Sequence, residues 1–456
     1  MASLLDETIA AIATPLGKSG IGVIRVSGKA SLRITASILS RKEDLEDRVP
    51  ILGSLFEPKT GQKLDQAMVT YFKSPRSYTG EDVVEISCHG SPVILKEVMR
   101  LLLQSGARLA TPGEFTFRAF LQGRIDLVQA EAVRDLIEAK TVFQAKVAHQ
   151  QAAGSLSRRL KPVKNQLIQL ISLLEAGIDF AEDDVPVMAW EEIEGRLSPV
   201  NQELNYLYSS FSYGKIVTAG LTLAIIGRPN VGKSSLFNAV LREERAIVTE
   251  VPGTTRDLIT ESTEIQGIAV RLVDTAGIRD VNDKVERRGI DKSYEALADA
   301  DRILLLLDGS EELAVEDHHL LSQLRDREYY LVINKVDLPQ RIILDGITGT
   351  AKAICAVSAK TGQGVELLKD TLFREFSQEK ALEREGALVT NIRHERLIGE
   401  AWQATSRVKE SLQEQMPHEI LLLDLYGALK ALNALTGETT VEDILENIFS
   451  TFCIGK

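Results

Sequence analysis

The stretch Gly227-Arg228-Pro229-Asn230-Val231-Gly232-Lys233-Ser234-Ser235 decides how the middle of this chain folds. It follows the apolar run 221–226, typical of a buried parallel strand, and it leads into the run 236–240, typical of a helix. Glycines in such a strand–loop–helix unit allow a tight turn whose N–H groups point at phosphate oxygens. Lys233 is then predicted to contact the β- and γ-phosphates of a nucleoside triphosphate, and the Ser234 hydroxyl to bind Mg²⁺. The predicted phosphate site consists of Asn230, Val231, Gly232, Lys233, Ser234 and Ser235.

Two later motifs indicate which base is bound. Asn334-Lys335-Val336-Asp337 follows a predicted strand, 330–333, and Asp337 can accept hydrogen bonds from guanine N1–H and N2–H₂. Adenine would leave that carboxylate without donors, a mismatch that rejects the wrong ligand. Ser358-Ala359-Lys360 supplies a backbone N–H suited to guanine O6. Together with the phosphate loop, these motifs predict GTP.

Two further segments complete the expected hydrolysis site. Asp274-Thr275-Ala276-Gly277 closes a predicted strand, so that Asp274 reaches Mg²⁺ through water and the Gly277 N–H contacts the γ-phosphate. Gly253-Thr254-Thr255-Arg256-Asp257 offers Thr255 as a second Mg²⁺ ligand. We expect the ranges 246–257 and 277–288 to be switch loops that GTP orders.

The residue after Gly277 is Ile278, where many GTPases have a glutamine that orients the attacking water. Another residue must therefore hold that water. The candidates near the predicted switches are Arg256, Asp257, Arg279 and Glu286. An arginine would act as a charge clamp, whereas Glu286 would orient water directly or through a second water. The local pattern alone does not choose among them.

The composition is typical of a multidomain globular protein. The chain has 456 residues, 44% of them apolar and 26% charged. No apolar run is long enough to cross a bilayer, and no secretory signal is evident at the start. The three cysteines, Cys88, Cys355 and Cys453, lack metal-ligand spacing and suit a reducing cytosol, so we expect a cytoplasmic protein without a membrane segment. The net charge of −12 argues against a broad nucleic-acid-coating surface but leaves a local basic patch open.

The pattern of apolar residues divides the chain into three kinds of segment. Short strand-like runs (21–26, 66–72 and 82–87) and a helix at 93–104 predict an α+β domain over residues 1–118. Helical patterns in 119–215 and 379–456 predict a mostly helical central domain. Between them, residues 216–378 alternate strands with helices, which predicts an inserted Ras-like P-loop GTPase domain with a doubly wound, largely parallel sheet. The fold class is therefore multidomain α/β.

Four further motifs lie outside the predicted GTPase domain. They are Gly20-Ile21-Gly22-Val23-Ile24-Arg25-Val26-Ser27-Gly28, Tyr78-Thr79-Gly80-Glu81-Asp82-Val83-Val84-Glu85, Pro112-Gly113-Glu114-Phe115-Thr116-Phe117-Arg118-Ala119-Phe120 and Phe452-Cys453-Ile454-Gly455-Lys456. The phosphate loop and Gly-Thr-Thr-Arg-Asp are similar to the Era/EngA/TrmE group. Together with the four motifs, they resemble the tRNA-modification GTPase MnmE (TrmE) family, and this resemblance runs nearly end to end.

The resemblance implies a partner, a cofactor and a reaction. Family members work with the flavoprotein MnmG to install a carboxymethylaminomethyl-type group at carbon 5 of the wobble uridine of certain tRNAs. A 5-formyltetrahydrofolate-like ligand supplies the one-carbon unit, and the folate-binding N-terminal domain forms a homodimer. Matched residues imply folate contacts at Arg25, Glu85, Arg124 and Lys456. Position 124 is often lysine in the family, so the charge is retained while the geometry differs.

The resemblance also implies potassium-stimulated hydrolysis, with K⁺ where an arginine finger would otherwise neutralise charge. Asn230 would ligate K⁺ together with the loop 249–254, in which Pro252 replaces a common alanine. The implied K⁺ ligands are Asn230, Thr249, Val251 and Thr254, and the loop's nucleotide contacts are Thr249, Glu250, Val251, Pro252, Gly253, Thr254 and Thr255. The family's water-positioning glutamate matches Glu286, and the expected catalytic set is Glu286, Lys233, Arg256 and Gly277.

Two other readings of the chain remain. A regulatory or ribosome-associated GTPase without a role in modification chemistry would not bind folate through residues 1–118. A folate-binding module whose GTPase only gates assembly would leave all covalent chemistry to its partner. Cys453 lies in a matched motif, yet no neighbouring histidine supports a catalytic thiol.

Overall fold

The computed structural model describes residues 6–40, 45–179, 188–241, 260–274, 300–325, 327–344, 351–373, 388–439 and 442–455. The chain divides into two compact units. The first comprises Met1–Arg134, Ala152–Ile168 and Tyr426–Lys456, and the second comprises Asp135–Gln151 and Gln169–Leu425.

A six-stranded mixed sheet forms the centre of the first unit. Its strands are β1 Ile9–Ile12, β2 Ser19–Ser27, β3 Ile51–Phe56, β4 Lys63–Phe72, β5 Val83–Gly90 and β6 Arg108–Leu109. They lie in the order β3-β4-β5-β2-β1-β6, and only β1 and β6 pair in parallel. Strands β2, β4 and β5 confirm the three predicted strands, whereas β1, β3 and β6 were not predicted because they are short or interrupted by glycine.

Alternation along the strands gives this sheet two different faces. Ile24 and Val26 of β2 point into a core that also holds residues of helices α1 Ser31–Ala36 and α2 Pro92–Gln104. Helix α2 confirms the predicted helix 93–104, and its buried side chains include Leu95, Val98 and Leu102, spaced for one helical face. On the other face, Ile9 and Ala11 form a smaller cluster with Phe115, which lies at the start of helix α3. Helix α3 spans Glu114–Leu121. Arg25 lies on a strand position that alternates with the core residues.

The second unit contains a doubly wound sheet. Its strands are β7 Leu221–Ile226, β8 Thr260–Ile265, β9 Ile268–Asp274, β10 Arg302–Asp308, β11 Tyr329–Asn334 and β12 Ala351–Ala356. Their order is β12-β11-β10-β7-β9-β8, and all neighbours pair in parallel except β8 with β9. The described helices of this domain are α9 Lys233–Leu241, α10 Val315–Gln323 and α11 Val365–Phe373. The predicted fold class and its largely parallel sheet are confirmed.

The antiparallel strand β8 was not predicted, because its sequence Thr-Glu-Ser-Thr-Glu-Ile is polar and lacks an apolar run. It is joined to β9 by Gln266 and Gly267, which have φ values of +51° and +87°. Positive φ at both positions is the requirement of a tight type I′ hairpin turn.

The remaining elements are helices, as predicted for the segments flanking the GTPase domain. They are α4 Leu127–Glu138, α5 Val142–Ala152, α6 Ser155–Asp179, α7 Trp190–Ser209, α8 Phe211–Ala219, α12 Ile392–Gln413, α13 His418–Thr436 and α14 Glu442–Ser450. Helices α7 and α12 pack closely: the Tyr208 and Trp402 rings stack with centroids 5.4 Å apart, and Asn201 Nδ2 donates to Thr405 Oγ1 at 2.9 Å. In the described part of the chain, no helix is both long and apolar enough to span a bilayer.

Helix α5 is packed against the GTPase sheet although it precedes β7 by a long stretch of chain. Its residues Phe143 and Val147 belong to the same apolar core as Leu223, Ile225 and the other inward residues of that sheet. The boundaries 118/119, 215/216 and 378/379 stay predictions, since compactness alone does not define a domain.

Candidate functional site

The phosphate loop joins β7 to α9 in a conformation that its sequence requires. Asn230 and Gly232 have φ values of +64° and +100°. A Cβ added to Gly232 would lie 2.2 Å from the Asn334 side-chain nitrogen. Only glycine fits there, because both the backbone angle and the neighbouring amide exclude a side chain.

Lys233 is held inside this loop. Its ammonium donates hydrogen bonds to the carbonyl oxygens of Gly227 at 2.7 Å and of Arg228 at 2.8 Å, and the residue is 7% exposed. Ser234 and Ser235 follow at the first turn of α9 and are exposed. The positive end of the helix dipole and the loop N–H groups favour an anion at this position.

Asn334 connects the phosphate loop with both base-recognition segments. Its Nδ2 donates to Val231 O at 2.7 Å, and its Oδ1 accepts from Ala359 N at 2.9 Å. The residue is 2% exposed. One buried amide therefore sets the spacing between the phosphate end and the base end of the site.

Asp337 offers a carboxylate suited to guanine. The Ser358 hydroxyl donates to Asp337 Oδ1 at 2.7 Å, and this hydrogen bond lowers the pKa of the Asp337 carboxyl. An ionised carboxylate can accept the two guanine N–H donors. These hydrogen bonds connect the phosphate loop, the segment 334–337 and the segment 358–360. The predicted residues in these three segments are all described, namely Asn230, Val231, Gly232, Lys233, Ser234, Ser235, Asn334, Lys335, Asp337, Ser358, Ala359 and Lys360.

The other predicted hydrolysis residues lie outside the described residues. They are Thr249, Glu250, Val251, Pro252, Gly253, Thr254, Thr255, Arg256, Asp257, Thr275, Ala276, Gly277, Arg279 and Glu286. Strand β9 ends at Asp274, and the direction of that side chain is also outside the description. Their roles stay predictions.

In the first unit, Arg25 and Glu85 form an ion pair across neighbouring strands. They are direct partners in the antiparallel register of β2 and β5, and Arg25 Nη2 lies 2.7 Å from Glu85 Oε1. The Arg25 guanidinium lies 5.8 Å from the Tyr78 ring centroid and 5.7 Å from that of Phe115. Both distances allow cation–π contacts, so the guanidinium is held by a carboxylate and two aromatic rings.

Residues near 455 also reach this pair. Gly455 O accepts a hydrogen bond from Arg25 Nη1 at 3.4 Å, and a Cβ on Gly455 would lie 2.7 Å from Ile12 O. Lys456 itself lies outside the described residues. Arg124 is exposed and lies beside Gly80, where an added Cβ would be 3.4 Å from Arg124 Cγ.

A buried charge network in the first unit was missed by sequence reasoning. Arg118 is 1% exposed and pairs with Glu81 at 3.1 Å and Glu114 at 2.9 Å. Glu114 also pairs with Arg108 at 2.6 Å. Burial disfavours the Glu114 charge, yet the bonds from Arg108, Thr111 and Arg118 outweigh it and lower the carboxyl pKa. Glu114 and Arg118, two opposite charges four residues apart in the motif 112–120, could have indicated this network.

Comparison with protein-family models and with curated sequences matches the chain to one family over nearly its whole length. The family model "GTP-binding protein TrmE N-terminus" matches residues 8–124, and the model "MnmE helical domain" matches residues 127–453. A relative named tRNA modification GTPase MnmE, from Koribacter versatilis (strain Ellin345), is 50% identical over 99% of this chain and 100% of its own length. Another of that name, from Aquifex aeolicus (strain VF5), is 45% identical over 99% of this chain and 100% of its own length.

Proposed function

The chain belongs to the MnmE family of tRNA modification GTPases, and from this we propose that its GTP hydrolysis drives folate-dependent modification of a wobble uridine. The product is a carboxymethylaminomethyl group on carbon 5. We propose that the chain acts in the cytoplasm as a homodimer, in a hetero-oligomeric complex with the flavoprotein MnmG, on tRNA. Mg²⁺ and K⁺ assist hydrolysis, and a 5-formyltetrahydrofolate or related tetrahydrofolate occupies the N-terminal domain.

The proposal that the chain binds GTP rests on the two side-chain hydrogen bonds of Asn334. Its two hydrogen bonds hold the phosphate loop and the Ala359 amide at a fixed separation, with the Asp337 carboxylate alongside. A nucleotide can therefore bind phosphates at Lys233 and guanine at Asp337 without rearrangement of this frame. Preorganisation of this kind reduces the entropic cost of binding.

Hydrolysis itself would use residues at the phosphate end. Lys233 places a cation on the β- and γ-phosphates, and Ser234 with Thr255 would hold Mg²⁺, which neutralises developing charge. Glu286 would orient the attacking water, while the Gly277 N–H contacts the γ-phosphate and Arg256 would stabilise charge from the switch loop. Asn230 is exposed on the phosphate loop. Its side-chain oxygen would bind K⁺ together with carbonyl oxygens of residues 249–254.

The Arg25–Glu85 site fits a tetrahydrofolate. Glu85 can accept N–H donors from a pterin amide edge, Arg25 can donate to a ring oxygen or a carboxylate, and Tyr78 and Phe115 supply apolar walls. When bound, the folate supplies the one-carbon unit. Arg124 and Lys456 would add positive charge for the ligand's carboxylates, while this chain's residues bind and orient the ligand.

The decisive experiment measures GTP turnover in KCl and in NaCl at equal ionic strength, with 5-formyltetrahydrofolate binding measured on the same sample. We expect faster turnover in KCl and stoichiometric folate binding. Asn230→Ala should remove the difference between the two salts, and Arg25→Ala should weaken folate binding at least about tenfold. Equal rates in both salts without folate binding would instead favour a regulatory GTPase outside modification chemistry.

A further inference from the structure

The segment 308–317, which runs from the last residue of β10 into the first turn of α10, contacts both ends of the nucleotide site. At its start, Asp308 Oδ2 pairs with Lys335 Nζ at 2.5 Å, and Gly309 N donates to Asn334 O at 2.8 Å. At its end, Asp317 pairs with Arg228 of the phosphate loop. We call this segment the β10–α10 bracket.

Arg228 is the second residue of the phosphate loop, and its side chain points away from the Lys233 ammonium toward the bracket. Its Nη2 lies 2.5 Å from Glu311 Oε2, and its Nε lies 3.2 Å from Asp317 Oδ2. The two carboxylates differ in environment, because the Glu311 side chain is 58% exposed and that of Asp317 only 2%. The Glu311 pair carries the hydrogen bond, and solvent screens it. The Asp317 pair is a charge contact that solvent screens less, because Arg228 Nε has no hydrogen-bond partner among the described residues.

Asp317 also makes a hydrogen bond for which its negative charge is not needed. Its Oδ2 accepts a hydrogen bond from Ala314 N at 3.0 Å, which caps the start of α10. A neutral asparagine can make that cap as well. The negative charge therefore matters mainly to Arg228, and Asp317 Oδ1 has no hydrogen-bond partner among the residues that the structure describes.

The backbone of Arg228 links this ion pair to the phosphates. Its carbonyl oxygen is one of the two that accept hydrogen bonds from the Lys233 ammonium. We propose that Arg228, held by Glu311 and by the buried charge of Asp317, is a positioning residue that orients Lys233 toward the β- and γ-phosphates. It acts through that carbonyl and does not touch the nucleotide. This inference rests on the GTPase activity and is independent of potassium and folate.

The test is the release rate of a fluorescent GDP analogue, measured together with kcat and KM for GTP. We expect Arg228→Ala to speed GDP release and to lower kcat/KM by about five- to tenfold, as for loss of one partner in a coupled pair. Asp317→Asn keeps the helix cap and the bond from Arg228 to Glu311, so it should give a smaller change in the same direction. The double variant should add little to Arg228→Ala, because that change already removes the contact with Asp317.

Two further variants keep the result interpretable. Arg228→Lys retains a charge near Asp317 and should recover part of the loss. Arg396→Ala breaks an exposed pair with Glu400 on α12 and should leave release and turnover unchanged. If Arg228→Ala and Asp317→Asn lower only the melting temperature, with GDP release and kcat/KM unchanged below it, the assignment is wrong and the pair is purely structural.

Discussion

At Asn334, one side-chain amide connects three segments that are far apart in the sequence. Its donor reaches Val231 and its acceptor takes the Ala359 N–H, so neither atom needs the nucleotide as a partner. Asp337 differs, because its carboxylate keeps acceptor capacity beside its bond from Ser358. Asn334 therefore holds the segments of the site together, whereas Asp337 is available to bind the base.

Base selection should depend mainly on Asp337. Asp337→Asn replaces an acceptor with an amide that can donate to the 2-oxo group of xanthine. We expect the preference for GTP over xanthosine triphosphate to shift by at least about a hundredfold, because a polar group left unpaired against the bound base discriminates strongly. Competition binding against a fluorescent nucleotide measures it. Unchanged base preference would refute this role.

The three cysteines should react very differently with a thiol reagent. Cys88 and Cys355 are 3% and 5% exposed, whereas Cys453 is exposed. Burial, and then the charge of Asp65, raises the pKa of Cys88 to about 11, so at pH 8 its thiol is protonated as well as inaccessible. Iodoacetamide on the native protein should label Cys453 first, as mass spectrometry would show. Guanidinium should make all three reactive, and early labelling of Cys88 would contradict the burial.

Among the elements, helix α5 has the most unexpected position. Thr141 Oγ1 accepts from Gln144 N at 3.1 Å and donates to Gly267 O in the β8–β9 turn at 2.8 Å. Gln151 Nε2 donates to Leu388 O at 2.6 Å. The helix that precedes the GTPase segment therefore holds both the turn between two of its strands and the start of the chain that follows it.

Replacing Thr141 with valine keeps the shape and removes the hydroxyl. Thr141 is 4% exposed, so the Gly267 carbonyl would be left buried without this donor. We expect a loss of about 1–3 kcal/mol in the free energy of unfolding. Calorimetry of the transition that includes the GTPase sheet measures it. Lys146→Ala on the exposed face of α5 is the control, and an equal effect of both changes would refute the argument.

For the whole molecule, the proposed folate site and the proposed hydrolysis site lie in different compact units. Each unit has its own sheet and core. Binding of the two ligands can therefore be disrupted one at a time.

Two variants, one in each site, test whether GTP turnover and folate binding can be lost independently. Glu286→Ala should lower kcat for GTP by about 10²–10³-fold, the size expected for loss of a water-orienting group, while GTP and folate affinities persist. Arg25→Ala should weaken folate binding at least about tenfold through lost charge-assisted hydrogen bonds, with GTP turnover unchanged. Turnover kinetics and isothermal calorimetry give both readouts. An equal loss of GTP affinity and kcat in Glu286→Ala would remove its catalytic role.

The nucleotide chemistry and the alternation of strands and helices were determined by the sequence itself. A phosphate loop is a continuous stretch whose own backbone N–H groups form the site, so its residues and their spacing are visible without a fold. The same holds for Asn334 to Asp337, which follow directly on a strand. Predicted strands were apolar runs, and the polar strand β8 was missed for the same reason.

Tertiary structure alone decided which distant residues meet. The Arg25–Glu85 pair depends on the register of β2 and β5, and the Arg228–Asp317 pair depends on how the chain leaves β10. The docking of α5 on the GTPase sheet likewise joins segments separated along the chain. Such contacts follow from strand register and close packing of the core, which no local spacing of residues encodes.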